Sequence, residues 1–291
     1  MKNILIYIFG VSIIMAIEKP DYKVIHNYGK VEIRGHLQIG EFENTDVFSN
    51  EMRLLSNYMP WFPANDYNSY LGEDVGISGK YCIVARPYSD EQKLNSGTAY
   101  IYNTETGERV HQLSGSDVGS NGSGGIYFSA YSVDIDGNYA IVGGFYGIKP
   151  SFHATHAVGA AYIFNVNTGQ QIHKLVANDA FSMDQFGWSV AISGNYAIVS
   201  AKWNNNSGSE NQSGAAFIFD VATGQELHRL SAKDQGNDDR FGYHVDIDGD
   251  YAVVSGWLND DDGQYSGSIY LYNVITGQQL HKCTASDAAA G

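Results

Sequence analysis

Two cysteines, Cys82 and Cys283, cannot staple a chain of 291 residues, so no disulfide framework holds this protein together. They stand in the first and last of the repeats described below, where sister copies carry Ala or Leu, and read as small apolar residues rather than as a bridge. Positive charge is also scarce: 17 Lys+Arg against 32 Asp+Glu give a formal net charge of −15. A chain so acidic repels a phosphate backbone, which excludes DNA and RNA as partners. Proline is rare, with five residues, and beyond the first sixteen residues no apolar run approaches the roughly 20 residues that span a bilayer. No G-x-S-x-G, H-E-x-x-H, phosphate-loop or dinucleotide fingerprint occurs, which leaves no catalytic residue to name.

What is abundant points one way. Thirty-three Gly and 21 Tyr suit short strands joined by tight turns, because Gly supplies positive φ and Tyr packs on pleated surfaces. The fold class expected is all-β.

The chain opens with Lys2 and then ILIYIFGVSIIMA, ending at Ala16, which has the charge and length of a signal peptide over residues 1–16. Localisation is therefore expected to be secreted, periplasmic or cell-surface, with no membrane span after cleavage. Residues 17–59 form a separate piece. Two strands around a turn are expected from Ile17 to Val24 and Tyr28 to Arg34, and FSNEMRLLSNYM presents Met52, Leu55 and Met59 on one helical face.

From residue 60 to 291 one pattern is written four times. Its first half reads LGEDVGISGKYCIVAR from Leu71, SAYSVDIDGNYAIVGG from Ser129, FGWSVAISGNYAIVSA from Phe186 and FGYHVDIDGDYAVVSG from Phe241. Its second half is a strand, Thr-Gly and a further strand, as in GAAYIFNVNTGQQIHKL. Turn glycines Gly79, Gly137, Gly194 and Gly249 are 58, 57 and 55 residues apart. Four short antiparallel strands per unit make a β-propeller blade, whose faces must stack on neighbouring blades. The linker wording also recurs at Ala64-Asn65-Asp66 and Ala285-Ser286-Asp287, so an open edge would call for oligomerisation.

In such a blade the loop from strand two to strand three shares a face with the blade-to-blade linker. Those loops, 86–96, 145–158, 202–213 and 257–266, differ from one another while the turns on the other face are alike. Dissimilar loops on a rigid scaffold are where recognition is placed, and Tyr88, Tyr146, Trp203 and Trp257 begin them as candidate anchors for a protein or glycan partner. Asn121, Asn205 and Asn211 are N-x-Ser sequons on this face. His111, His173, His228 and His281 follow each Thr-Gly, one per blade. Repeat-equivalent residues are spread around a ring, whereas zinc ligands must converge within about 2.1 Å of the ion, so they read as packing. Asn259-Asp260-Asp261-Asp262-Gly263 is the densest acidic loop and reads as solvated surface.

Phe186-Gly187 and Phe241-Gly242, with Val-Ser-Ala and Val-Gly-Gly near the Gly-Ala-Pro position, resemble FG-GAP repeat proteins over residues 64 to 291. That resemblance implies an integrin-α-like propeller, commonly seven-bladed, used extracellularly for binding. The family's calcium loop, D-x-D-x-D-G-x-x-D, is too short here: Asp134-Ile135-Asp136-Gly137 and Asp246-Ile247-Asp248-Gly249 keep few oxygens, and no metal site is carried over. The strand-Asp-Thr-Gly wording also resembles quinoprotein propellers, but His replaces their Trp and no cofactor residues are visible. Residues 17–59, with Glu18-x-Pro20-x-Tyr22-x-Val24 and Gly29-x-x-Glu32-Ile33-Arg34, are similar to the start of SOUL-type haem-binding proteins, after which the likeness ends and no haem site can be assigned. The function expected is therefore a binding propeller rather than an enzyme, with no cofactor required. The alternative is haem or tetrapyrrole association through the SOUL-like segment, and a quinoprotein-like enzyme comes last.

Overall fold

The computed structural model describes residues 70–89, 96–116, 128–145, 159–181, 183–204, 212–260, 263 and 265–286, together with residues 2–8, 11–17, 23–27 and 30–34 as strands. The chain divides into two units, Met1–Phe62 and Pro63–Gly291.

In the first unit, β1 (Lys2–Ile8) pairs antiparallel with β2 (Val11–Ile17), and β3 (Lys23–Asn27) with β4 (Lys30–Arg34). The second strand of this hairpin lies within the one expected at Tyr28–Arg34, but the first, expected at Ile17–Val24, is displaced to Lys23–Asn27 and shares only Lys23 and Val24 with it. The helix expected at residues 48–59 lies outside the described residues, among which there is no helix.

The second unit is a β-propeller-type stack of four antiparallel sheets, each four-stranded in simple sequential order. Blade one is β5 (Val75–Ser78), β6 (Tyr81–Arg86), β7 (Thr98–Asn103) and β8 (Arg109–Leu113). Blade two is β9 (Ser132–Asp136), β10 (Tyr139–Gly144), β11 (Ala160–Asn165) and β12 (Gln171–Leu175). Blade three is β13 (Phe186–Ser193), β14 (Tyr196–Ala201), β15 (Ala215–Asp220) and β16 (Glu226–Leu230). Blade four is β17 (Phe241–Asp248), β18 (Tyr251–Gly256), β19 (Ser268–Asn273) and β20 (Gln279–Cys283). The first two strands of each blade close on a two-residue turn whose glycine has φ of 53–56°, at Gly79, Gly137, Gly194 and Gly249, a conformation an L side chain resists.

Blades stack through apolar faces. One seam buries Ile83, Ala99, Ile101 and Leu113 of blade one against Val133, Ile135, Ala140 and Phe164 of blade two. The next joins Ile141, Ile163 and Leu175 to Val190, Ile192 and Phe219, and the third joins Ile198, Ile218 and Leu230 to Ile247, Ala252 and Tyr272. Phe186 packs edge-on to Phe219 and tilted on Phe217, and Phe241 does the same with Tyr272 and Tyr270. Phe128 takes this place in blade two, against Tyr162 and Phe164. The Phe-Gly pair is needed because Gly187, at φ 86°, brings its backbone so close to Ala160 that an added Cβ would lie 2.5 Å from the carbonyl oxygen.

Polar latches repeat at each seam, always reaching from one blade to the next. On the inner strands, the amides of Val133, Val190 and Val245 donate to Asp74 Oδ2, Ser132 Oγ and Ser189 Oγ of the blade before. The turn amides of Gly137, Gly194 and Gly249 donate to Ser78 Oγ, Asp136 Oδ2 and Ser193 Oγ. Ile192 N donates to Asp134 Oδ2 at 2.8 Å. On the outer strands, His111, His173 and His228 place Nε2 at 3.1, 3.0 and 2.9 Å from the carbonyls of Asn167, Ala222 and Ile275. Their rings lie so close to Gly169, Gly224 and Gly277 that an added Cβ would come within 2.7–2.9 Å of ring atoms. The histidines are therefore packing residues, one per seam, as the repeat spacing implied.

Candidate functional site

The residue two beyond each Phe, or its equivalent, projects from the start of the inner strand. These are Glu73, Tyr131, Trp188 and Tyr243 in blades one to four. Where strand two ends, at the base of the variable loops, stand Pro87, Phe145, Lys202 and Trp257. The two sets interleave into one belt. Tyr70 meets Tyr88 at 5.4 Å between ring centroids, and Tyr88 meets Tyr131 at 6.5 Å. Tyr131 contacts Phe145 at 4.6 Å and stacks on Trp188 at 5.9 Å, while Phe145 is 4.7 Å from Trp188. Trp188 continues to Tyr243 at 5.7 Å, and Tyr243 to Trp257 at 4.7 Å. Seven aromatic residues, Tyr70 included, thus run unbroken from blade one to blade four, and Lys202 sits against the row at Trp188 and Tyr243.

Lys202 takes the position of an aromatic. Its Nζ lies 2.7 Å from the Trp188 ring centroid, 5.0 Å from that of Tyr243 and 5.6 Å from that of Trp203. Burial, and then the neighbouring Arg240 guanidinium, pull its pKa from the usual 10.5 down to about 7. The indole N–H of Trp188 donates to Tyr243 O at 3.0 Å, which fixes the plane of the ring. In blade one Glu73 replaces the aromatic and bonds the Tyr131 side chain, with its carboxyl raised by burial above the ordinary range.

Beneath the belt, buried Asp–Asn pairs clamp the loop bases. Asn204 Nδ2 donates to Asp184 Oδ2 at 2.9 Å, and Asn259 Nδ2 to Asp239 Oδ2 at 3.1 Å. Arg229 and Lys282 of the outer strands donate to the Oδ1 atoms of these asparagines. Asn259, the first residue of the acidic loop, is therefore committed to the scaffold, whereas Asp260 is exposed. Among the described residues no group of three or more His, Cys, Asp or Glu is arranged to hold a metal ion.

Of the expected anchors, Tyr88, Trp203 and Trp257 all lie at the belt: Tyr88 and Trp257 are members of it, and Trp203 flanks it through Lys202. Tyr146 lies outside the described residues. The inner-strand members Tyr131, Trp188 and Tyr243 were not anticipated, although their signal, an aromatic two residues after Phe186 and Phe241 and three after Phe128, is present in the sequence.

Sheets of this order and stacking define a β-propeller-type repeat protein. Residues 170–219 and 225–272 match the FG-GAP repeat family, each match running from the last strand of one blade into the third strand of the next. No curated protein sequence matches the chain. Among solved structures, the chain is similar to the computationally designed Ika8 protein, at 15% identity and TM-score 0.44, covering 72% of this chain and 48% of that one. It is similar to Kuenenia stuttgartiensis hydrazine synthase at 12% identity and TM-score 0.48, covering 77% and 53%. A third likeness is to the RRP9 WD40 repeats, at 12% identity and TM-score 0.44, covering 72% and 49%. The chain spans about half the length of each of these three.

Proposed function

We propose that this is a non-catalytic binding protein of the secreted or envelope-exposed kind, whose ligand, a glycan chain, stacks on the aromatic belt at the variable-loop face. The observation that carries the reading is the continuity of the belt, from Tyr70 through Tyr88, Tyr131, Phe145 and Trp188 to Tyr243 and Trp257. Aromatic faces are flat, apolar and stiff, so they present contact area at low entropic cost, and the C–H faces of successive sugar rings match a row of them. Exposure differs along the row: Trp257 is 49% and Tyr70 55% accessible, while Phe145 is buried against Tyr131 and Trp188. The apolar run after Lys2 supports export, and the acidic surface supports a neutral ligand rather than a polyanion.

The test is a tryptophan-fluorescence titration with neutral soluble polysaccharides. Saturable quenching is expected, weakened about tenfold by Trp257→Ala, the loss of roughly 1.4 kcal/mol that one stacked aromatic supplies. Leu227→Ala, an equally exposed residue of an outer strand, should change nothing. Equal affinity for wild type and a Tyr88→Ala/Trp257→Ala double variant would sink the reading.

A further inference from the structure

Blade four ends in a face that the other blades keep covered. Ile269 is 52% exposed, whereas Ala161 and Ala216 at the same position are fully buried. Val253 is exposed where Ile141 and Ile198 are buried, and Cys283 is exposed where Leu175 and Leu230 are buried. Blade one has the opposite face open. Ile77 is 54% exposed, against 3% for Ile135 and Ile192, and Tyr102 and Cys82 are half-buried where Phe164 and Ala140 are enclosed.

The polar latches are unmatched in the same sense. Asp246 and Asp248 of β17 repeat the Asp134 and Asp136 of β9, whose second carboxylate oxygens accept from Ile192 N and Gly194 N. Asp246 Oδ1 accepts from Ile247 N, as Asp134 Oδ1 does from Ile135 N, and both Asp246 and Asp248 are exposed. On β5, Gly76 offers no side chain and the amides of Ile77 and Gly79 donate to no cross-blade partner among the described residues. On the outer strands His281 is exposed, where its three counterparts bond the next blade. Gly107, at φ 71°, has open space above it where Gly169, Gly224 and Gly277 each lie under a histidine ring. One latch is not remade, since Arg109 stands where Gln171, Glu226 and Gln279 accept a linker amide.

We infer that these two faces meet between chains: blade four of one copy seats on blade one of a second copy, head to tail. The occupant is fixed by what each face lacks. Blade four offers carboxylates and a histidine to a surface that must carry two inner-strand amides and a Thr-Gly turn with open space above its glycine. Blade one of this chain carries all three, at Ile77, Gly79 and Thr106-Gly107. Burial of Ile269, Val253 and Leu271 against Ile77, Val84 and Tyr102 then repeats the apolar seams already present inside the chain. Two copies closed in this way form one eight-bladed ring with a twofold axis, within the range that propellers adopt.

Sedimentation velocity of the full chain and two variants tests this. Ile269→Glu and Ile77→Glu each place a carboxylate on one face only, at side chains already exposed, so folding is unaffected. Wild type is expected to be dimeric, each variant alone monomeric, and an equimolar mixture of the two variants heterodimeric, because the mixture retains one unaltered seam. A monomeric wild type overturns the proposal and assigns closure to the chain's own blades or to another protein. A dimer that survives either substitution, or a mixture that stays monomeric, overturns it equally.

Discussion

The ammonium nitrogen of Lys202 lies over the Trp188 ring at the position where blade two carries Phe145 and blade four Trp257. The ring face attracts the charge, but burial opposes it, and burial prevails, since the pKa falls to about 7.

Lys202 therefore makes stability depend on pH. Its folded-state pKa lies below the unfolded value, so charging it weakens the fold in full below about pH 7. That weakening fades as pH rises from about 7 to the ordinary lysine value of 10.5. Lys202→Met should raise Tm at pH 6 and raise it less at each step towards pH 10. A gain equal at both ends would refute the assignment.

Asp134 behaves oppositely. Burial raises its pKa to about 6, the amides of Ile192 and Ile135 hold it down, and the charges of Asp246 and Asp74 push it further up. Between the unfolded value of 3.8 and about 6 the fold keeps a proton that the unfolded chain releases, so this group's contribution to stability falls as pH rises through that window. Asp246→Asn should move the Asp134 midpoint down in a carbon-detected NMR titration. A midpoint that stays near 6 would mean that the Asp246 charge does not act on Asp134.

Gly187 and Gly194 both have positive φ, yet their substitution should differ in cost. Gly194→Ala meets open space and should cost about 1–2 kcal/mol for the left-handed backbone alone. Gly187→Ala adds a clash with the Ala160 carbonyl and should cost at least about 3 kcal/mol. Urea unfolding of the two variants decides it, and equal midpoints would contradict the close blade-to-blade approach.

The histidine latches should be worth a measurable amount only where a following blade exists. His228→Ala removes the bond to the Ile275 carbonyl and the ring over Gly277, at a cost of about 1–2 kcal/mol. His281→Ala in the monomeric Ile77→Glu background should cost less than about 0.5 kcal/mol. Similar losses at both positions would show that His281 already has a partner within its own chain.

The blades were legible because their signals are local. The turn glycines Gly79, Gly137, Gly194 and Gly249 and the Thr-Gly pairs lie where the alternation of Val and Ile breaks, and each became the expected turn. Phe128 was hidden because one extra residue separates it from Tyr131, compared with Phe186 and Trp188, so the repeat seemed to lose its aromatic there. The belt was half visible. Tyr88, Trp203 and Trp257 stand at loop bases and drew notice, whereas Tyr131, Trp188 and Tyr243 look like ordinary strand residues until neighbouring blades bring them together. The latches were illegible for the same reason, since partners such as Asp136 and Gly194 are 58 residues apart and neither is unusual alone.

On the inner strands, side-chain oxygens of each blade accept from backbone amides of the blade that follows it, whereas the Trp188 indole N–H and the Ser78 hydroxyl donate forward. A chain leaving the ribosome amino end first would thus always display a finished template before the next blade emerges. Each new sheet finds acceptors waiting for its inner-strand backbone amides, so an interruption leaves those side-chain oxygens without their amides. Such a fold has a growing end and a starting end, chemically as distinct as the two ends of a polymer.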